Sequence, residues 1–244
     1  MFLTGTLLNT VAIVLGTTVG LLAASRMPPR IQGSLMTGIG FFVTILAVSM
    51  GLRIFEDPAS RVGDSLAVLA GLLVGVVTGE LLGIHDRLEA LGAWFQRRLA
   101  RGEEPSRIAE AFVSASLVFC VGPLTILGSL DNGLRGDATL LATKSLLDGL
   151  ASVAFAAALG PGVYLAAITV LVIQGAIAAT AFLLRDVLDA RTVLAMTAVG
   201  GMIILGIALR LLDLKAVRVA NFLPGLIFAP LFIHLADWIR AAVP

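Results

Sequence analysis

The sequence predicts an all-α membrane protein, a polytopic transmembrane helix bundle of about eight spans. Three observations carry that reading. Hydrophobic residues make up 58% of the 244-residue chain. Charged residues make up only 14%, against about a quarter in soluble domains. The mean hydropathy is +1.01, and the charges gather in short clusters between long apolar runs.

The charge breaks place the spans at roughly 3–25, 32–54, 63–84, 107–130, 138–159, 162–184, 191–212 and 217–239, each about long enough to cross the hydrocarbon layer. No basic residue precedes the first run, and the first charge is Arg26. It therefore reads as a retained span rather than a cleaved signal. In the third span Gly71, Gly75, Gly79 and Gly83 recur at every fourth position. That face has no side chains, so a neighbouring backbone can close onto it, within the protomer or across a homodimer. The alternative is a face lining a solute path. Beside it Glu80, a secondary site candidate, reads as an interfacial group reaching headgroups or Arg87, with an ion ligand as the other possibility.

Between the third and fourth spans lies HDRLEALGAWFQRRLARGEE. Leu88, Leu91, Trp94, Phe95 and Leu99 recur near helical spacing among Arg97, Arg98 and Arg101. The segment 85–106 reads as a cytoplasmic amphipathic connector lying in the membrane interface.

The fourth and fifth spans form a central pair, residues 107–160, and the fourth is interrupted. Pro123 removes a backbone donor and clashes with the preceding turn, which predicts a kink or break. Asp131 and Asn132 in SLDNGLRGD then read either as a turn closing the run or as groups at a pore mouth.

The last three spans resemble the first three. MTGIGFFVTIL at 36–46 matches MTAVGGMIIL at 196–205 in Met, Thr and the second Gly, and RVGDSL at 61–66 matches RVANFL at 218–223. A shift of five spans turns the second copy over, so 1–84 and 161–244 read as an inverted repeat around the central pair. Basic residues give the orientation. Ten fall on the loops that face inward if the N-terminus is outside: Arg26, Arg30, Arg87, Arg97, Arg98, Arg101, Arg107, Arg210, Lys215 and Arg218. Six fall on the other side, and Lys144 lies within a span. The excess predicts both termini outside.

Several functions find no support. A net charge of +1 without a basic run gives no nucleic-acid surface. One cysteine, Cys120, offers neither a disulfide nor a zinc set, and His85 and His234 have no ligand-spaced companions, so no metal or cofactor is implied. Ser114, Ser116 and Cys120 have no His nearby and read as helix-packing groups. No catalytic constellation is visible, and the chain reads as a non-enzyme.

The most function-like feature is a pair of charges in TLLATKSLLDGLASVAFAAAL, residues 139–159. A charge at the middle of a membrane helix costs roughly 2.5–3.5 kcal/mol on insertion scales. Lys144 lies near one end, where its stem could snorkel to water, but Asp148 has no such stem. Their i, i+4 spacing lets them pair. They are either a structural pair or the border of a wet path. Thr143, Ser145, Gly149 and Ser152 around them, and the broken span with Pro123, Ser129, Asp131 and Asn132, favour the path.

FCVGPLTILGSLDNGL, TKSLLDGLAS, AMTAVGGMIILGIALRLL and the N-terminal GTLLNTVAIVLGTTVGLL resemble the domain-of-unknown-function 554 family of bacterial membrane proteins. The resemblance covers essentially the whole chain. It implies an integral protein of the bacterial cytoplasmic (inner) membrane and brings no catalytic residues. The residues themselves favour a transporter, carrier or channel, for a small solute or ion, with a polar path lined by the central pair. The alternative is a non-transporting scaffold or partner-binding protein, supported by the glycine face.

Overall fold

The computed structural model describes residues 3–61, 63–88, 90, 105–185 and 187–242. Among these the regular structure is entirely helical. The helices are α1 (Thr4–Ala24), α2 (Pro29–Glu56), α3 (Asp64–Leu82), α4 (Pro105–Cys120), α5 (Pro123–Arg135), α6 (Thr139–Leu159), α7 (Val163–Ala179), α8 (Ala181–Leu184), α9 (Ala190–Leu211) and α10 (Gly225–Ala242), with a 3-10 turn at Val219–Phe222 before the last. Leu91, Trp94, Phe95, Arg97, Arg98, Leu99 and Arg101 of the expected interfacial connector lie outside the described residues.

Among the described residues six helices are long and apolar enough to cross a membrane, and the α4–α5 pair makes a seventh if counted as one broken span. Two expected spans differ. The sixth, expected over 162–184, is divided at Thr180 into α7 and the four-residue α8. The fourth bends by 62° and then continues five residues beyond its expected end, to Arg135. Asp131, Asn132 and Gly133 are therefore helical. The chain turns instead at Gly136, whose φ of 72° suits glycine. The bend has a local cause. Pro123 occupies the first position of α5, where a missing N–H costs nothing. The Phe119 carbonyl, freed by the break, accepts the Thr125 hydroxyl at 2.9 Å.

The chain divides into two compact units, 1–41 with 87–186 and 42–86 with 187–244. In the first, α1 lies along α6 with both running the same way. A Cβ on Gly5 would fall 2.6 Å from Leu141 Cβ, one on Gly16 2.2 Å from the Gly149 carbonyl, and one on Gly20 2.3 Å from the Val153 carbonyl. No side chain fits there, so glycine is what lets the two backbones meet. Helix α7 runs opposite to α1: Tyr164 at its start meets Thr18, with hydroxyls 2.7 Å apart, and Gly175 near its end meets Leu3.

In the second unit α3 runs against α10. A Cβ on Gly71, Gly75 or Gly79 would lie 2.5 Å from Ala229, 2.3 Å from Gly225 or 2.0 Å from the Asn221 carbonyl. Gly83 does not extend this face: with φ of 59° it ends α3, and the nearest atom to its absent Cβ is Asp86 Oδ2 at 3.9 Å. Helix α9 starts beside α3. Arg191 holds both carboxylate oxygens of Asp64, at 3.2 and 2.7 Å, and pairs with Asp237. Asp189 caps α9 by accepting the Thr192 N–H at 2.7 Å. Burial alone would raise its pKa, but the Thr192 N–H and hydroxyl together hold the carboxyl below its usual range.

Candidate functional site

Lys144 and Asp148 are 6% exposed apiece, on the face of α6 turned into the first unit. Lys144 does not snorkel. Its ammonium turns inward and donates to both Asp148 oxygens, at 2.9 and 2.8 Å. The glycines of α1 bring that helix so close that Asn9 reaches the same carboxylate, donating its Nδ2–H to Oδ2 at 2.9 Å. Taking two charges out of water is unfavourable unless close geometry and further hydrogen bonds offset the desolvation. Both are met here. Phe119, just before the break, meets Phe155 of α6 edge to face with ring centroids 6.0 Å apart, so the break before α5 lies against the helix that carries the pair.

Around this centre, hydroxyls divide into satisfied and unsatisfied sets. Ser145 donates to the Leu141 carbonyl and Ser152 to the Asp148 carbonyl, each at 2.6 Å, so both are absorbed by their own helix. By contrast Thr6 Oγ1, Thr17 Oγ1, Asn9 Oδ1, Ser129 Oγ, Asn132 Nδ2 and both amide atoms of Gln174 are buried without a hydrogen-bond partner. Each such group costs about 1–3 kcal/mol, and native proteins keep only a few per hundred residues. Concentration of so many in one helical unit is an argument for a polar ligand or path.

Two of the amides have fixed orientations. Asn9 donates to Asp148, so its carbonyl faces elsewhere. Asn132 accepts the Gly5 N–H at 3.1 Å, which caps α1 across 127 residues of chain and leaves its NH2 turned away.

The sequence-derived candidates fall into three groups. Lys144, Asp148, Ser145, Ser129 and Asn132 are buried in the first unit, and Pro123 marks the break beside them. Thr143 stands apart: it faces outward and donates to the Thr139 carbonyl at 3.2 Å. Asp131 stands apart also. It forms no turn, and it pairs along its own helix with exposed Arg135 at 3.6 Å. Glu80 belongs to the second unit, where its partner is Arg218 at 3.1 Å rather than Arg87, and Arg218 also holds Asp86. Sequence reasoning missed Thr6, Asn9 and Gln174. An amide inside an apolar span carries the same kind of cost as a charge, so Asn9 and Gln174 could have been found by the test that found Asp148.

The family model described as "Protein of unknown function (DUF554)" matches residues 4–234. The chain is 30% identical over 231 residues to the "Uncharacterized membrane protein YdfK" of Bacillus subtilis (strain 168), covering 95% of this chain and 96% of that one. It is 28% identical over 235 residues to the "Uncharacterized protein YqgA" of Escherichia coli (strain K12), covering 96% and 98%. No solved structure matches.

Proposed function

The chain belongs to the DUF554 family of membrane proteins of unknown function, and we propose that it transports a small solute or ion across the bacterial inner membrane through its first unit. The observation that carries this reading is the buried Lys144–Asp148–Asn9 centre. An ion pair is a poor way to hold helices together inside lipid, because apolar residues of similar volume often do so equally well or better. An intramembrane carboxylate with a tethered cation is instead suited to exchange. When a proton or small cation neutralises Asp148, the Lys144 ammonium and the Asn9 amide are released together, and α6 and α1 lose a shared contact. That couples charge binding to the fit of two helices.

The inverted repeat belongs to the same reading. Its equivalent helices, α1 with α7 and α3 with α10, lie antiparallel within their respective units. An in-plane pseudo-two-fold axis would relate them in that way.

A scaffold without transport is the second reading, and the second unit favours it, since its glycine contacts account for close packing with no charge between the helix ends.

Asp148→Asn combined with Lys144→Met separates the two. Together they remove the ionisable group without stranding a buried charge, which either change alone would do. Proton- or cation-driven flux in proteoliposomes should vanish while the melting temperature is held or rises. Wild-type flux in a stable double variant would make the pair structural and sink the transport reading of it.

A further inference from the structure

The unpartnered polar groups of the first unit are not scattered. Gly133 of α5 lies against Ala178 of α7, its absent Cβ 2.3 Å from the Ala178 carbonyl. One turn back from that contact, on the same face of each helix, stand Ser129 and Gln174. Asn132 is on the same face of α5 and bonds Gly5 of α1, next to Thr6. Gly175, next to Gln174, meets Leu3 at the start of α1. Thr6, Ser129, Asn132 and Gln174 are all fully buried, and all present at least one unpartnered polar atom.

Charge and orientation restrict what these groups suit. The nearby charges compensate each other within the Lys144–Asp148 pair. Asn132 offers an unpartnered NH2, while its oxygen already accepts from Gly5. Gln174 has both a donor and an acceptor to offer, and the two hydroxyls can do either. A bare cation would meet the Asn132 NH2, and an anion would meet the Gln174 carbonyl with no net positive charge to hold it. The geometry points to a binding site, between the start of α1 and the ends of α5 and α7, for a small uncharged solute carrying both donor and acceptor groups, of the amide or polyol class. This deepens the transport reading: the solute would occupy this level while Asp148 handles the coupled charge.

The test uses proteoliposomes of the full chain, shocked with acetamide, urea or glycerol, with and without an inward pH gradient, and followed by light scattering. Wild-type vesicles should swell several-fold faster than protein-free vesicles with at least one probe. Gln174→Leu should return swelling to the protein-free rate while melting at the same or a higher temperature, since it removes an unpartnered amide. Ser129→Ala, a smaller change, decides the matter if Gln174→Leu fails to fold, and should slow entry of the same probe. Entry of no probe above the protein-free rate would overturn the site. Wild-type entry in both variants would overturn it too. A pH dye in the same vesicles keeps the two readings apart. Asp148-dependent proton flux with no Gln174-dependent solute entry removes the site and leaves transport standing. Gln174-dependent entry without Asp148-dependent flux does the reverse for charge coupling.

Discussion

The α1–α6 pair and the α3–α10 pair solve the same packing problem in different company. Both close through three glycines, with absent Cβ positions 2.0–2.6 Å from atoms of the opposing helix or, for Gly79, of the turn that leads into it. The α3–α10 pair keeps its charges at its two ends. Arg61, Asp64, Arg191 and Asp237 gather at one, and Glu80, Asp86 and Arg218 at the other, where Asn221 also accepts the His85 N–H at 2.8 Å. The α1–α6 pair encloses a lysine, an aspartate and an asparagine in its interface. Close packing in a membrane therefore does not require interior charge, and the α1–α6 centre calls for another explanation. The proposed release of charge during transport supplies one.

The largest expected effect sharpens the likeness between the pairs. Gly16→Leu and Gly75→Leu should both abolish folding or assembly, because neither backbone can give way at 2.2–2.3 Å. Size-exclusion of the solubilised variants reads this out. A Gly75→Leu protein that elutes and melts normally would mean that the α3–α10 contact is not needed.

The next effect breaks the likeness. Lys144→Met leaves Asp148 buried with only Asn9 beside it, and should cost on the order of 3–5 kcal/mol when melting is followed at neutral pH. Lowering the pH should restore part of the loss, because protonation removes the unpaired charge. In the other unit Arg218→Ala breaks a half-exposed, solvent-screened pair and should leave the melting temperature almost unchanged. Equal losses from the two would erase the distinction between the units.

The smallest effect concerns Asn9. Asn9→Leu removes one hydrogen bond to the carboxylate but also an unpartnered carbonyl, so the net loss should stay near about 1 kcal/mol. Flux should fall much more than that stability change implies.

What was legible in the sequence was whatever contradicted its surroundings. Lys144 and Asp148 stood out against an apolar helix, and Gly71, Gly75 and Gly79 against the bulky residues between them. Partnerships were not legible. Nothing local says that α6 lies beside α1, since Asn9 and Asp148 are 139 residues apart and meet only through glycine contacts. The Asp131–Gly133 stretch misled because turn chemistry favours Asp-Asn-Gly locally, whereas burial of Asn132 and its bond to Gly5 make it worth keeping helical. Gly83 fitted the four-residue spacing but serves as a helix stop, a distinction made by φ and not by periodicity.

Access of water to the interior of the first unit is the most direct test of its difference from the second. In a Cys120→Ala background, Ser129→Cys and Thr197→Cys place single thiols at positions buried to a similar degree in the two units. A small water-soluble methanethiosulfonate, applied to intact membranes, should label Ser129→Cys at a measurable rate through the proposed path and leave Thr197→Cys unlabelled. Labelling of neither thiol, or of both at the same rate, would contradict a polar path confined to the first unit.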